Sequence, residues 1–308
     1  DDFEKNISKF CERRFGIAVT SGTVALDLAI KSFKLKPKSK VIIPNFSIVS
    51  VLNAVINNNL TPVFIDVDED DYNINFKDIE NLPNIKSIKA AILVSTYNSS
   101  SDMEKIINYL KKFKIKVIED AAESFGGYFN KKKFGSFGDV SILSFYPNKI
   151  ITTGEGGMLL TNNNNIANFC KNYRNLFFNR NRDFLHKDIG SNLRFSSILA
   201  SLGLSQFKKI NKFKKHKKIW FNYYKKNLND NYFKFQRIKS NIDSAYWVCP
   251  ITIKNNKNKI DAKKIISLLE KYNIQSRMFF SPLSKQPFLN NKFNKINSTV
   301  SDKIYKYG

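Results

Sequence analysis

Four short stretches carry residue types that could do chemistry together. Ser21-Gly22-Thr23 sits where a strand should hand over to a helix. Hydroxyls and free backbone N–H groups at a positive helix N-terminus suit a phosphate. Asp120 follows Lys116-Val117-Ile118-Glu119, and a carboxylate at a strand's end can hold a cationic ring nitrogen. Lys149 closes Ser144-Phe145-Tyr146-Pro147-Asn148-Lys149, just beyond an apolar run. A desolvated lysine has a lowered pKa, which frees its amine to attack a carbonyl. Gly154-Glu155-Gly156-Gly157 supplies a permissive loop after it. Each stretch alone has an ordinary reading: a helix cap, a turn cap, a surface lysine, a bare glycine cluster. Together, and in this order, they are the parts a pyridoxal 5'-phosphate site needs. That cofactor requires a phosphate cup, an acidic partner for the pyridinium nitrogen and a Schiff-base lysine.

Positioning these groups requires strands that end at one rim. Ile17–Thr20, Val41–Pro44, Pro62–Val67, Ala90–Ser95, Val117–Glu119, Val140–Phe145 and Met158–Thr161 are apolar, β-branched runs. Between them, Val24–Phe33, Ser47–Asn58 and Asp102–Phe113 show helical spacing. Continuous apolar strands alternating with helices predict an α/β fold with a mostly parallel sheet covered on both faces. In such sheets ligands bind outside the carboxyl ends of the strands. Residues 127–134 read as a hairpin, and the Asn162–Asn165 run as a loop tip. Further along, Phe195 to about Asn229 reads as one long helix, Ala245–Ile253 and Ile274–Met278 as strands, and Asp261–Tyr272 as a helix. The expected organisation is a large cofactor domain over 1–200 and a smaller α+β domain over 201–308.

Composition narrows the field. The 308 residues are 42% hydrophobic and 14% aromatic, enough for a sizeable core and too apolar for wholesale disorder. No apolar run is long enough to span a bilayer, so no membrane partner is expected. Cys11, Cys170 and Cys249 are scattered and odd in number. That argues against a disulfide framework or a four-ligand zinc site and suits a reducing, cytoplasmic compartment. The net charge of +25 would ordinarily suggest nucleic acid. However, the cations are 43 Lys against 8 Arg, and Asn reaches 38, a bias that an AT-rich coding sequence produces. No nucleic-acid-binding module is recognisable, so no nucleic-acid partner is expected. Lys131-Lys132-Lys133 and Lys208 to Lys218 read as solvated faces. His186 and His216, the two histidines, lie in polar stretches and read as surface residues.

The sequence resembles the nucleotide-sugar aminotransferases of the DegT/DnrJ/StrS type, within the aspartate aminotransferase fold group (type I). The resemblance is carried by SGTVALDLAI (21–30), VIIPNFSIVSVLNAV (41–55), TPVFIDVDEDDYNIN (61–75), IEDAAESFGG (118–127), GSFGDVSILSFYPNKIITTGEGGMLLTN (135–162) and IGSNLRFSSILASLGLSQF (189–207). It implies a seven-stranded, mostly parallel sheet flanked by helices, plus a smaller α+β C-terminal domain. It implies that Lys149 holds the cofactor as a Schiff base and then shuttles the proton, and that Asp120 pairs with the pyridinium nitrogen. Glu123 would sit near the ring hydroxyl, and Gly22, Thr23 and Ser144 would hold the phosphate. Asn192 would reach the phosphate of a second subunit's cofactor, supported by Arg194, which makes the protein a homodimer with shared sites. The family usually stacks an aromatic ring on the pyridine from the position that is Ile48 here, with Phe46 out of register. Family chains usually begin earlier and continue past Gly308, so this chain reads as incomplete at both ends. A subgroup carries histidine in place of the lysine and deoxygenates sugars, and Lys149 separates this chain from it.

The expected reaction is amino transfer from glutamate to a nucleotide-linked keto-deoxysugar, at the 4-keto carbon before the 3-keto. The alternatives are an aminotransferase for a non-sugar ketone, an inactive relative, and a basic polyanion-binding protein.

Overall fold

The computed structural model describes residues 2–178, 184–254, 260–290, 292–293 and 300–308. Seven strands form the main sheet in the order β1-β9-β8-β5-β4-β2-β3. They are β1 (Phe15–Val19), β2 (Lys40–Pro44), β3 (Thr61–Ile65), β4 (Ile88–Val94), β5 (Lys116–Asp120), β8 (Val140–Ser144) and β9 (Gly157–Thr161). All run parallel except β9, which lies antiparallel between β1 and β8. The expected α/β class and mostly parallel sheet are therefore what the chain forms.

Both faces of the sheet are covered, which explains the unbroken apolar strands. On one face Ile17, Val19, Val41, Ile43, Ile92, Ile118 and Ile142 pack under α2 (Gly22–Ser32), α3 (Val49–Asn57) and α6 (Asn164–Tyr173). On the other, Ala18, Ile42, Leu93, Val117 and Leu143 meet Phe3 and Ile7 of α1 (Asp2–Phe10) and Met103, Ile106 and Leu110 of α5 (Met103–Lys112). The short helix α4 (Phe76–Glu80) adds Ile79 to this face. A third cluster joins Phe46, Tyr72, Tyr97, Trp247 and Phe279, all from segments outside the sheet strands. The hairpin is present as β6 (Tyr128–Phe129) and β7 (Lys132–Lys133), extended by β11 (Ile242–Asp243).

Several expectations for the later chain are corrected. The long helical stretch is two helices, α7 (Ser197–Phe207) and α8 (Ile210–Asn227), parted at Lys208-Lys209. No proline or glycine marks that break, so periodicity alone ran through it. Of Ala245–Ile253 only β12 (Ile251–Ile253) is a strand, pairing with β10 (Phe233–Phe235). Ile274–Met278 follows α9 (Ala262–Lys271) without joining a sheet. The asparagine run is not a loop tip: Asn163 caps α6 by accepting from the N–H groups of Asn165 and Ile166. Nor is the Lys208–Lys218 stretch only a solvated face. Lys214 bonds Asp243 and the Gly126 carbonyl, and Lys217 bonds the Trp247 carbonyl. The chain ends in α10 (Val300–Tyr307), whose first N–H groups are taken by Asp66. Among the described residues no helix is long and apolar enough to cross a membrane.

Candidate active site

The β1–α2 junction builds an anion cup from local rules. Ser21 caps α2, its hydroxyl accepting from the Val24 N–H at 3.1 Å. The N–H groups of Gly22 and Thr23 precede the first intrahelical bond and have no acceptor within the helix. Gly22 is required by crowding: a Cβ there would stand 2.9 Å from the Ser144 Cβ and 3.2 Å from its Oγ. Ser144, the last residue of β8, is thereby pressed against the cup. Thr23 Oγ1 lies 2.8 Å from Ser50 Oγ, which ties α3 to the same spot. From beneath, Gly157 of β9 lies against Ser21, where a Cβ would meet the Ser21 carbonyl oxygen at 2.3 Å.

Strand alternation separates two neighbouring carboxyls. Glu119 points into the core, accepting from the N–H groups of Gly135 and Phe137 and from Ser141 Oγ at 2.7–2.8 Å. Asp120 turns to the other face at the strand's carboxyl end. It is buried, yet among the described residues its side chain accepts one hydrogen bond, from the Ala122 N–H at 3.0 Å. Desolvation, opposed by that bond and by Lys149, pushes its carboxyl up to about 6. A buried carboxyl with spare acceptor capacity is a ready seat for a cation.

Lys149 is reached by a loop closed at its base. Phe145 N–H donates to the Gly156 carbonyl at 2.9 Å, Thr153 N–H to the Phe145 carbonyl at 3.0 Å, and Lys149 N–H to the Tyr146 carbonyl at 3.0 Å. The Lys149 side chain is 11% exposed. Its Nζ lies 4.0 Å from Glu123 Oε1 and 3.5 Å from the centroid of the Trp247 ring. Burial lowers its pKa, while Glu123 and Asp120 raise it. Glu123 accepts the Tyr97 N–H at 2.8 Å, and burial pushes its carboxyl up to about 7.

The structure thus brings Gly22, Thr23, Ser144, Asp120, Glu123 and Lys149 to the carboxyl edge of adjoining strands. Ile48 stands at the N-cap of α3, two residues before Ser50, and is 39% exposed. Phe46 is fully buried in the aromatic cluster with Tyr72, Tyr97, Phe279 and Phe280, so it offers the cup no free face. Asn192 and Arg194 make their described contacts with β1 and with Asn175, and not with the lysine. Arg194 bridges to Val19 at the end of β1, and Asn192 to Asn175. Arg194 Nη1 donates to Asn175 Oδ1 at 2.9 Å. His186 and His216 are exposed.

Two participants were not visible in the sequence. Trp247 covers the lysine from 98 positions away in the chain, with no local pattern to announce it. Residues 95–101 are buried throughout despite being almost wholly polar. A seven-residue polar stretch directly after an apolar strand was the available signal.

This donor set fits a phosphorylated aromatic aldehyde: open N–H groups for the phosphate, an under-coordinated buried carboxyl for a ring nitrogen, and a desolvated amine. The chain matches a model of the DegT/DnrJ/EryC1/StrS aminotransferase family over residues 1–307. It is 32% identical to the GDP-perosamine synthase of Escherichia coli O157:H7 over 295 residues, 95% of this chain and 80% of that protein. It is 31% identical to the UDP-4-amino-4,6-dideoxy-N-acetyl-beta-L-altrosamine transaminase of Campylobacter jejuni over 258 residues, 82% of this chain and 68% of that one. Among solved structures, Helicobacter pylori PseC, an aminotransferase involved in pseudoaminic acid biosynthesis, superposes with a TM-score of 0.93 at 26% identity. That match covers 99% of this chain and 83% of the other.

Proposed function

The chain belongs to the DegT/DnrJ/EryC1/StrS aminotransferase family and is a pyridoxal-phosphate-dependent transaminase, and from that premise we propose that it transfers an amino group from glutamate to a nucleotide-linked 4-keto-deoxysugar. The observation that carries the site assignment is the meeting of a desolvated Lys149 amine with two buried carboxyls. The sugar assignment rests on relatives named for nucleotide-linked amino sugars.

In this reading the N–H groups of Gly22 and Thr23, with Ser144 Oγ, bind the phosphate. Asp120 holds a proton on the ring nitrogen, and the cation ionises it by offsetting the desolvation that raises its pKa. When bound, pyridoxal phosphate supplies an electron sink for the carbon that gives up a proton. Lys149 anchors the ring and, once freed, carries that proton as general base and then general acid. Glu123, held by the Tyr97 N–H, places a carboxyl 4.0 Å from the Lys149 amine. Ile48, at the α3 N-cap, would offer the ring an aliphatic face where the family usually has an aromatic one.

We also propose a cytoplasmic homodimer in which Asn192 and Arg194 serve the second copy's phosphate. The support is a set of exposed apolar residues on either side of them: Phe184, Leu185, Ile189 and Ile198. Single apolar residues on a surface are ordinary, but several along one stretch mark a contact face. In this reading residues 1–200 form the cofactor domain and 201–308 the smaller one.

The direct test offers glutamate, with GDP-, UDP- or dTDP-linked 4-keto-6-deoxysugars as acceptors, and follows 2-oxoglutarate. Turnover with one of them supports the reading. Turnover confined to non-sugar ketones would move the substrate class. Gly22→Ala should weaken pyridoxal phosphate binding by about tenfold or more, since the new methyl must displace Ser144. A titration with wild-type affinity would take the cup away from this junction.

A further inference from the structure

We propose that Trp247 is a positioning residue for Lys149: its ring face receives the amine whenever that amine is free, and its N–H pins the loop carrying it. This rests on the reading that Lys149 does the amine chemistry. The Lys149 Nζ lies 3.5 Å from the Trp247 ring centroid. The indole Nε1–H donates to the Asn148 carbonyl, immediately before the lysine, at 2.9 Å. One side chain therefore fixes both the base and the tip of Lys149.

The tryptophan is itself held. Lys217 Nζ of α8 donates to the Trp247 carbonyl at 2.9 Å, and Asn98 Nδ2 donates to the Val248 carbonyl at 2.8 Å. The Tyr97 ring packs 6.0 Å away, and Trp247 is 8% exposed. The segment turns into this position at Tyr246, with φ 55°.

The chemistry explains why an aromatic face is useful there. A lysine that alternates between attached and free must be stored, when free, in a water-poor place. A close carboxylate would attract its charge but would also compete for the proton it must deliver. An indole face attracts an ammonium through its quadrupole and has no basic atom to take the proton. Glu123 stands off at 4.0 Å, beyond hydrogen-bond range, while the ring is in direct contact.

The test uses enzyme loaded with pyridoxamine phosphate, in which the lysine is unattached. Lys149 is labelled competitively with acetic anhydride across a pH series and quantified by peptide mass spectrometry. The charged groups acting on the amine, Glu123 and Asp120, are the same in every variant, as is Lys217 on the Trp247 carbonyl. In Trp247→Leu the ammonium loses its partner, so the labelling midpoint should fall by about one pH unit, about tenfold more free amine at a given lower pH. Trp247→Phe, which keeps a ring, should fall by less. A midpoint that stays or rises in Trp247→Leu would overturn the proposal, as would a loss of thermal stability with no change in labelling. If the leucine variant does not fold, a downward shift in Trp247→Phe supports the proposal and an unchanged midpoint there overturns it. These outcomes are separate from the role of Lys149, which the spectrum of its own alanine variant decides.

Discussion

Lys149→Ala should lose the visible absorption of bound cofactor that marks a lysine linkage, and its amino transfer should fall by more than about a thousandfold. The variant should still fold. The lysine lies in a loop whose base is closed by backbone bonds of Phe145, Thr153 and Gly156, none of which uses its side chain. Removing the amine even relieves a desolvated charge. The measurement is a spectrum of the purified variant with added pyridoxal phosphate, beside a unfolding curve. A wild-type band with intact turnover would remove Lys149 from its assigned role.

Asp120→Asn should fold and bind the cofactor, and lose turnover by about a hundred- to a thousandfold. The asparagine side-chain oxygen can still accept the Ala122 N–H, so the turn after β5 is kept. What disappears is the negative charge facing the ring nitrogen. Breaking one side of a buried ion pair costs about 3–5 kcal/mol, and part of it falls on the step in which the ring takes up electron density. The sign with pH can be checked too. Burial pushes Asp120 up to about 6 even with Lys149 nearby, and a bound pyridinium would draw it back down. Cofactor binding in the wild type should therefore weaken as pH falls below about 6 and the carboxyl is protonated. The asparagine variant should lack this dependence. Rates close to wild type would show that another group manages the ring nitrogen.

The sheet was legible because a parallel sheet between two helical layers buries both sides of every strand. That writes itself as apolar runs such as Val140–Ser144. The placing of Ser21-Gly22, Asp120 and Lys149 near one sheet edge followed from the same pattern, since each lies at or shortly after the end of such a run. Legibility failed where tertiary contacts replaced local rules. Residues 245–250 look like a strand, but side chains hold them, with Lys217 and Asn98 taking the carbonyls of Trp247 and Val248. The break at Lys208-Lys209 has no local punctuation. The α1 helix, missed in the sequence, announced itself through Phe3, Ile7 and Phe10, at helical spacing in a short stretch otherwise polar. Trp247 could not be found by spacing, since nothing local relates positions 148 and 247.

The lone antiparallel strand β9 begins at Gly157, which lies against Ser21, and the residue just before it, Gly156, closes the base of the lysine loop by accepting the Phe145 N–H. Two consecutive glycines at the head of β9 thus tie the β1–α2 junction to the base of the lysine loop. A side chain added at either position meets backbone or packed side chains within 3 Å, so a change at one glycine reaches the junction and the loop together.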